Sequence, residues 1–577
     1  MDSRSAPTVN APPLEGIPTV RSALPSADVP RPDGVRDTIE SIVVAFILAF
    51  VFRAFVVEAF VIPTGSMAPG LYGLHGDYRC DLCRYPIVFG IREGRSGLGE
   101  LPHNPLVRCP NCGYAEGRNA ALHTKDDPVV PSPGDRILVL KWPYDLGAKW
   151  LGPKRWDVVV FKDPQEGEQN YIKRLLGLPG EVLEIIDGDI YVAPAESVPA
   201  DIRESLSRPP PPGRPDARRL NAEQQERLAG LLRIQRKSPV AQESLWMTHY
   251  DHDFKPDMTR LGALHNDLPV WAAEQPQNTP WDVSTPRVKF KPSDAREHWL
   301  QLTGKPIQDS YGYNSLQPSM QPAARNVGDV RLRFVLVPGG TQGTLSLDLL
   351  RGSDGFVAHV SADGTVRLMR HERGRVDREI GNGRTDPLRP PHPVTMEFEN
   401  VDYRVALRID GTEIVATDES HYRPDVAGLL RAAEVAGPGP EAAVRIGAKE
   451  LPLEIRHLSV HRDVYYRSEI FTEEGRGNIR NEFNHYPGWG TMTNPIYLRE
   501  SPPDYFCLGD NSPQSKDSRL WWEVCPLLRE RGDYQYGTVP GDQMIGRAFF
   551  VYWPGGYRFS NDTPAVIPNV GKMRIIR

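Results

Sequence analysis

The sequence lacks the features of several common protein classes. It has no excess of basic residues, since 68 Lys and Arg stand against 74 Asp and Glu and give a net charge of −6. A nucleic-acid-binding domain normally carries a basic patch or stripe, so nucleic acid is not an expected partner. At 577 residues the chain is too long for one hydrophobic core, and its length predicts three or four structural units.

Long apolar runs are also scarce, because only Ile39 to Ile62 is long enough to span a membrane. About 20 apolar residues cross a hydrocarbon core of roughly 30 Å. The run has almost no polar face, which disfavours a buried core helix, and no charged start adjoins it as in a cleaved signal peptide. We therefore predict a transmembrane helix over residues 38–62, preceded by a disordered, Pro-rich tail over residues 1–37.

Charges around this run predict its orientation. Three arginines lie within about 20 residues before it and only Arg79 lies after it, so the positive-inside rule places the N-terminus in the cytoplasm. Arg53 and Glu58 interrupt the run and are expected to snorkel or pair near its outer end. No later run is long enough to span, so a single-pass protein with the rest of the chain outside is predicted.

Strand signals dominate the chain after the apolar run. The apolar stretches are short, rich in Val, Ile, Phe and Tyr, and bounded by turn residues, a pattern typical of strands. Examples are Arg136 to Lys141, Asp157 to Phe161, Val182 to Ile186 and Ala548 to Tyr552. The expected fold class is mainly β and antiparallel, after one N-terminal helix.

Residues 194–325 are polar and show no regular apolar pattern, and they are predicted to form an irregular polar insert. A Pro-rich linker starts at Arg208, and one helix is expected around Asn221 to Ile234. The two histidines of His249-Tyr250-Asp251-His252 are metal-ligand-like in spacing, but we interpret this stretch as a solvated loop.

Residues 326–465 alternate cleanly between apolar and polar positions. Asp363-Gly364 and Asp410-Gly411 stand between alternating runs, and such pairs are typical of hairpin turns. An antiparallel sandwich is predicted. The stretch from Val401 to Ile414 is similar to concanavalin-like or laminin-G-like jelly-roll modules. That resemblance implies a possible carbohydrate or protein ligand, and a plain spacer role stays open.

Four of the six cysteines form two Cys-x-x-Cys pairs, Cys80 with Cys83 and Cys109 with Cys112. Four thiolates from two turns can close a tetrahedral zinc site, so we predict an inserted zinc ribbon over residues 76–118 with these four ligands. Two disulfides are the alternative. Cys507 and Cys525 either pair or are buried thiols.

Ser66 lies in a Pro/Gly-rich turn just after the predicted span and is a candidate nucleophile. A serine hydroxyl needs a base, yet no histidine stands in a comparable turn-rich context. A lysine serves if burial lowers its pKa. Lys173, with Tyr171, Ile172, Leu175 and Leu176 around it, fits that requirement.

Six segments in order resemble the type I signal peptidases, membrane-bound peptidases with a Ser–Lys dyad. The resemblance as a whole covers roughly 230 residues and leaves the ribbon and the large insert outside it. The segments are Phe60 to Pro69, Pro133 to Val139, Asp157 to Phe161, Tyr171 to Glu181, Gly509 to Arg519 and Gly546 to Pro554.

This resemblance implies a role for each matching residue. Ser66 attacks the scissile carbonyl, Lys173 is the general base, and Thr64 with the Ser66 N–H forms the oxyanion hole. Ser515 orients the lysine, and Asp510, Asp517 and Arg519 support the site. The residues expected to line the apolar pockets that recognise Ala-x-Ala are Phe60, Ile62, Met67, Tyr171 and Ile172. No cofactor is expected for catalysis.

The resemblance also implies a catalytic domain split into residues 63–193 and 466–577, in a bacterial inner membrane and facing outward. Its expected substrates are signal-peptide-bearing preproteins. The chain departs from the family pattern at Ser512, where many relatives carry Arg, which puts the packing of that loop in doubt. An idle peptidase shell that displays the sandwich is the alternative function. A self-cleaving regulator would need a DNA-binding domain and no membrane span.

Overall fold

A computed structural model forms two compact units, Met1–Ala54 and Phe55–Arg577. Most of the predicted tail and of the Pro-rich linker lies outside the residues that it describes. The described residues are 34–93, 99–100, 107–116, 131–146, 150–208, 219–257, 268–314, 324–372, 378–433, 437–468, 488–492, 494–556 and 567–576.

The first unit contains the helix α1, Gly34–Phe55, and none of the residues of this helix is buried. At 1.5 Å per residue its 22 residues extend about 33 Å, the thickness of a hydrocarbon core. Among the described residues it is the one helix long and apolar enough to cross a membrane. The predicted N-terminal apolar helix is therefore confirmed.

The ends of this helix differ from the predicted range of 38–62. The helix starts four residues earlier, at Gly34, and Val57–Val61 forms a strand instead of its last turns. The strand pairs antiparallel with Arg136–Leu140, and such backbone pairing overrides the apolar run as a helix signal. Glu58 thus lies outside the helix, where its carboxylate accepts from Lys141 Nζ at 3.3 Å.

The second unit is built mainly from short antiparallel strands. Those before the insert are β1 (Val57–Val61), β2 (His75–Arg79), β3 (Pro86–Gly90), β4 (Arg92–Glu93), β5 (Gly99–Glu100), β6 (Val107–Arg108), β7 (Ala115–Glu116), β8 (Arg136–Leu140), β9 (Val158–Lys162), β10 (Asn170–Gly177), β11 (Glu181–Ile186) and β12 (Asp189–Pro194).

The insert adds sixteen more strands within the described residues. They are β13 (Arg233–Ile234), β14 (Met247–Asp251), β15 (Val270–Ala273), β16 (Trp281–Asp282), β17 (Val288–Phe290), β18 (His298–Thr303), β19 (Val330–Pro338), β20 (Thr344–Arg351), β21 (Asp354–Ser361), β22 (Thr365–Glu372), β23 (Arg378–Arg384), β24 (Val394–Val401), β25 (Arg404–Ile409), β26 (Thr412–Ala416), β27 (Ala442–Lys449) and β28 (Leu453–Arg462).

The last part of the chain returns to the first sheet. Its strands are β29 (Ile496–Leu498), β30 (Asp504–Leu508), β31 (Val539–Pro540), β32 (Met544–Trp553) and β33 (Arg574–Ile575). The helices of the second unit are α2 (Trp142–Asp145), α3 (Ala200–Ser207), α4 (Ala222–Ala229), α5 (Pro239–Leu245), α6 (Val426–Ala433) and α7 (Pro526–Arg531).

The main sheet joins segments from both ends of the second unit in the order β1-β8-β32-β9-β10-β30-β31, with β33 beside β32. All its pairings are antiparallel. One apolar cluster includes Ile62, Ile137 and Val160, and another includes Phe161 and Trp521. The sheet is completed only by strands that follow the insert, because β30 pairs with β10.

A smaller sheet, β13-β12-β11-β29, packs against helices of the insert. Asn221 caps α4 by accepting from Gln224 N, while the Gln224 side chain accepts from Asn221 N. This capping box starts the helix at the predicted place. The helix ends at Ala229 and not near Ile234, because Ile234 belongs to β13, which pairs with β12.

The predicted sandwich is present as two antiparallel sheets. One has the order β16-β17-β28-β19-β24-β25-β26, with β14 beside β28, and the other has the order β15-β18-β27-β20-β21-β22-β23. Alternate side chains of both sheets, such as Phe334, Leu336, Leu347 and Leu349, fill one core. The alternation of apolar and polar residues in the sequence therefore marked the buried face correctly.

The sandwich begins earlier than the predicted residue 326. Strands β14 to β18 all lie within the segment that was predicted to be irregular and polar. They are two to six residues long, too short for an alternating pattern to stand out. The solvated loop predicted around His249 and His252 is wrong, because β14 and the turn after it bury both histidines.

Candidate active site

Ser66 lies in a short 3-10 helix, Gly65–Met67, directly after the extended residue Thr64. The serine is 8% exposed. Asp135, in the segment Pro133 to Val139, anchors the chain around this turn. Ile62 N donates to Asp135 O at 2.9 Å, and the Asp135 carboxylate accepts from Tyr72 N. Thr64 is exposed beside the turn. The bonds to Asp135 anchor the chain on both sides of the turn that carries Ser66.

Lys173 reaches this hydroxyl from strand β10. Its Nζ donates to Ser66 Oγ at 2.8 Å and to the Ile172 carbonyl at 3.0 Å, and its ammonium lies 5.1 Å from the Tyr171 ring centre. The strand places Lys173 opposite Val159 of β9. A serine and a lysine that are 107 residues apart are in direct contact.

Burial sets the protonation of this lysine. It lowers the pKa of Lys173 from the ordinary 10.5 to about 8, against an opposing effect of the Asp517 carboxylate. The charged form loses hydration on burial, and no carboxylate among the described residues forms an ion pair with Nζ to replace it. A lysine in this state can accept a proton near neutral pH.

The Asp/Ser segment, Gly509 to Arg519, lies beside Ser66 and Lys173. Asp517 and Arg519 are fully buried and form a two-pronged ion pair, with Nε–Oδ1 2.8 Å and Nη2–Oδ2 2.6 Å. Asp517 also accepts from Gly509 N at 3.1 Å. Asp510 pairs with Arg174 through two further bonds of 2.8 Å each. The second pair ties this loop to the residue after Lys173.

Ser515 is fully buried in the same place, but its hydroxyl makes no hydrogen bond to any residue in the described ranges. A Cβ on Gly509 would lie 2.2 Å from Ser515 Oγ and 2.4 Å from the Ser66 carbonyl oxygen. Both groups therefore border the same glycine. The orienting bond from Ser515 to Lys173 stays a prediction.

Ser512, the departure from the family pattern, is packed by Arg519 and Arg467. Its Oγ accepts from Arg519 Nη1 at 2.9 Å and from the backbone N of Arg467 at 2.7 Å. Arg467 is itself buried and forms an ion pair with Asp309. The loop is therefore packed without an arginine at position 512.

The predicted pocket residues divide between the two faces of the main sheet. Ile62, Met67 and Ile172 are buried in one apolar cluster, and Phe60 packs against it. Tyr171 packs against the opposite cluster, around Phe161 and Trp521. The structure brings four of the five residues together and places Tyr171 on the side of the lysine.

The four ribbon cysteines converge at the tips of two hairpins, β2–β3 and β6–β7, and are all buried. The Sγ atoms of Cys80 and Cys112 are 3.7 Å apart, and those of Cys83 and Cys109 are 3.6 Å apart. Zn–S bonds of about 2.3 Å in a tetrahedron put sulfurs about 3.8 Å apart, whereas a disulfide needs about 2.05 Å. The donor set fits zinc, and all six cysteines are free thiols.

Sequence reasoning missed three residues beside the serine. Asn511 donates to the carbonyl oxygens of Gly65 and Ser66. In the insert, the Tyr313 ring lies against Gly65, and Asn314 pairs with Asn511. Asn511 lies next to Asp510 in the segment Gly509 to Arg519, which the sequence had already marked as part of the site. Nothing local in the sequence marks Tyr313 or Asn314.

The buried contact of a serine with a lysine, on a split antiparallel sheet, is an arrangement that can serve nucleophilic catalysis. Residues 128–263 and 491–553 match the model of the family described as signal peptidase, peptidase S26. The resemblance to type I signal peptidases is thereby confirmed. Ser66 and the insert residues Tyr313 and Asn314 lie outside the matched residues.

Curated relatives are named signal peptidase I. The protein of Rickettsia akari (strain Hartford) is 50% identical over 145 residues, which are 25% of this chain and 38% of that protein. The protein of Rickettsia typhi (strain ATCC VR-144 / Wilmington) is 27% identical over 158 residues, 27% of this chain and 43% of that protein. The chain thus spans about two fifths of the length of these relatives.

Two solved structures that resemble the chain match it with low TM-scores. A carbohydrate-binding module, CBM66 from Bacillus subtilis, is 10% identical with a TM-score of 0.22, covering 35% of this chain and 98% of that one. The exoplasmic/lumenal domain of VIP36 is 7% identical with a TM-score of 0.24, covering 37% and 90%. TM-scores this low do not establish a shared fold.

Proposed function

We propose that this protein is a membrane-bound serine endopeptidase that removes signal peptides from exported preproteins at Ala-x-Ala-type sites. The observation that carries the proposal is the 2.8 Å bond between Lys173 Nζ and Ser66 Oγ in a buried setting. The match to the signal peptidase family model supports the same conclusion.

In this mechanism Lys173 is the general base. With a pKa of about 8, roughly a tenth of the lysine is neutral at pH 7, about 300-fold more than at the ordinary value of 10.5. The neutral amine takes the proton from Ser66 Oγ as that oxygen attacks the scissile carbonyl carbon. The resulting ammonium then protonates the leaving amine, and water hydrolyses the acyl-enzyme with the same lysine as base.

The oxyanion is stabilised by the Ser66 backbone N–H and the Thr64 hydroxyl. Donors aimed at the developing negative charge are each worth roughly 3–4 kcal/mol. Thr64 immediately precedes the short helix that carries Ser66, and its exposure leaves the hydroxyl free to turn toward a bound peptide. The substrate side chains before the cleavage site pack against the cluster of Ile62, Met67 and Ile172.

A structural zinc ion held by the four ribbon cysteines is part of the proposal. Gly113 at φ 74° and Arg84 at φ 62° follow the second cysteine of each pair, and both knuckles are closed by a backbone bond back to the first cysteine. Bound zinc fixes a segment with a small apolar core. The test is metal content, with about one zinc per chain expected and loss of it in a Cys109→Ser variant.

The helix α1 is proposed to anchor the protein in a bacterial inner membrane, with the N-terminus inside. A signal peptide lies in the same bilayer, so the enzyme and its substrate meet at the membrane. A carbohydrate or protein ligand of the sandwich stays a prediction.

The deciding experiment uses the full-length chain in detergent micelles. A peptide with an Ala-x-Ala site is offered to the wild type and to the Ser66→Ala and Lys173→Ala variants. Turnover by the wild type alone supports the proposal. Equal turnover in all three would mean that the pair is not the reacting centre, and no turnover in any would favour the idle shell.

A further inference from the structure

The turn that carries Ser66 is held by a part of the chain that lies far away in sequence. The short helix Gly312–Asn314 belongs to the insert, outside both segments that match the signal peptidase model. Its residue Tyr313 lies against Gly65 of the turn from Thr64 to Met67, and Asn314 pairs with Asn511, which bonds to that turn. The insert therefore does more than extend from the surface of the peptidase domain.

Asn511 connects directly to the peptide groups on either side of Ser66. Its backbone N donates to the Ser66 carbonyl oxygen at 3.0 Å, and its Nδ2 donates to the Gly65 carbonyl oxygen at 3.0 Å. The Gly65 carbonyl and the Ser66 N–H belong to one planar peptide group. The bond to Gly65 O therefore also fixes the direction of the Ser66 N–H, the proposed oxyanion donor.

Asn314 determines how the amide of Asn511 is turned. Asn314 Nδ2 donates to Asn511 Oδ1 at 2.7 Å, and Asn511 Nδ2 donates to Asn314 Oδ1 at 2.8 Å. Both side chains are buried, at 5% and 1% exposure. The Gly65 carbonyl can only accept, so this pairing keeps the donor face of Asn511 toward Gly65.

Tyr313 closes the same turn from the side. A Cβ on Gly65 would lie 1.9 Å from Cε1 of the Tyr313 ring, so the ring occupies the space that only glycine leaves. The Tyr313 hydroxyl donates to the Leu74 carbonyl at 3.0 Å, and its ring stacks on Tyr72 at 6.0 Å. The peptide between Gly65 and Ser66 is thus confined on two sides.

We propose that Asn314 is a positioning residue of the peptidase centre. It orients the Asn511 amide, and through it the Gly65–Ser66 peptide and its N–H. The inference rests on the proposed function only for its kinetic consequence. The geometric consequence, an immobilised turn around Ser66, is independent of any activity.

Three variants of the full-length chain in detergent test this role. Asn314→Leu keeps the number and branching of the side-chain heavy atoms and removes both bonds to Asn511, and Asn314→Asp keeps the acceptor for Asn511 Nδ2. Asn326→Leu is the matched control, because Asn326 is a buried asparagine of the insert whose hydrogen bonds, within the described residues, go to Gln308, Pro438 and Gly439 of the insert.

With the Ala-x-Ala reporter peptide, Asn314→Leu is expected to lower kcat roughly 30- to 100-fold. The complete loss of an oxyanion donor lowers kcat by about 100-fold or more, and a misdirected donor is expected to approach that loss. KM is expected to stay within about twofold, because the peptide-binding cluster is untouched. Asn314→Asp retains an intermediate kcat, and the Asn326→Leu control keeps the wild-type kcat per folded molecule.

Hydrogen exchange followed by mass spectrometry gives a second readout that needs no turnover. Asn314→Leu is expected to raise deuterium uptake in peptides that cover residues 60–72, and Asn326→Leu is not. Unchanged uptake, or equal kcat in wild type and Asn314→Leu, overturns the inference. So does an equal loss of kcat in the Asn326→Leu control. A wild type without turnover counts against the proposed function, while the exchange result still decides the role of Asn314.

Discussion

Two lysines of this protein have buried side chains, but their pKa values shift in opposite directions. Lys173, beside Ser66, and Lys237, between the smaller sheet and the sandwich, both have buried side chains. Burial alone lowers the pKa of each. For Lys173 the result is a pKa of about 8, whereas for Lys237 the pKa ends well above its ordinary value.

The difference lies in the contacting carboxylates. Lys237 Nζ lies 2.5 Å from Asp402 and 2.7 Å from Asp463, and these charges outweigh the loss of hydration. Lys173 Nζ instead contacts a hydroxyl and a carbonyl, while the Asp517 carboxylate is engaged by Arg519. Burial therefore produces a base only where the nearby acids already have partners. The predictions below test this contrast.

The largest expected effect is the loss of turnover when either member of the pair is removed. Ser66→Ala and Lys173→Ala are each expected to lower kcat for the reporter peptide by at least about 10³-fold, because nucleophile and base act as one unit. The double variant is expected to be no worse than either single one. Additive losses would mean that the two residues act separately.

Unequal effects on stability are expected when each lysine becomes methionine. Lys237→Met leaves Asp402 and Asp463 buried without a cation, which costs about 3–5 kcal/mol in the free energy of unfolding. Lys173→Met at pH 9, where Lys173 is largely neutral, is expected to change it by less than about 1.5 kcal/mol. Urea unfolding of the full chain in detergent measures both, and equal costs would remove the contrast.

A carboxylate placed beside Lys173 should make it resemble Lys237. Cys507 is buried opposite Leu175, on the same face of the sheet as Lys173, and in Cys507→Asp the new charge favours the ammonium. The wild-type kcat/KM is expected to rise with pH through about 8 as Lys173 loses its proton. In Cys507→Asp this rise moves to higher pH by about one unit, so activity at pH 7 falls roughly tenfold.

The matched control is Cys507→Asn, which has a similar size and no charge. It is expected to keep the rise at about pH 8, so a shift in both variants would assign the effect to packing and not to charge.

A similarly small effect is expected at Ser515. If its hydroxyl orients Lys173, Ser515→Ala lowers kcat by about tenfold, close to the value of one hydrogen bond, with little change in KM. Ser518→Ala is the control, since Ser518 is equally buried but accepts from the Cys507 N–H at 2.9 Å. Loss of stability without loss of kcat is expected there, and equal kcat in Ser515→Ala and wild type would contradict the orienting role.

Much of the fold was predictable because its signals are local. The alternating strands of the sandwich, the apolar helix and the two cysteine pairs each occupy a short stretch of sequence. Predictions failed where such signals were short or ambiguous. Val57–Val61 continues an apolar run and becomes a strand through pairing with β8, and the two- to six-residue strands around His249 lack a readable period.

The sequence by itself determined which residues can do the chemistry. It marked Ser66, Lys173 and the Asp/Ser loop by their turn residues and order, and the four cysteines by their spacing. Tertiary structure decided what state those residues are in. The pKa of Lys173 depends on which acids face it, and the direction of the Ser66 N–H depends on Asn511 and Asn314.

These contacts join residues 66, 173, 314 and 511, which are brought together only when long loops close. Loop closure depends weakly on length and leaves no local pattern in the sequence. A lysine is therefore recognisable from the sequence as a candidate base, whereas the environment that makes it one exists only in the folded chain.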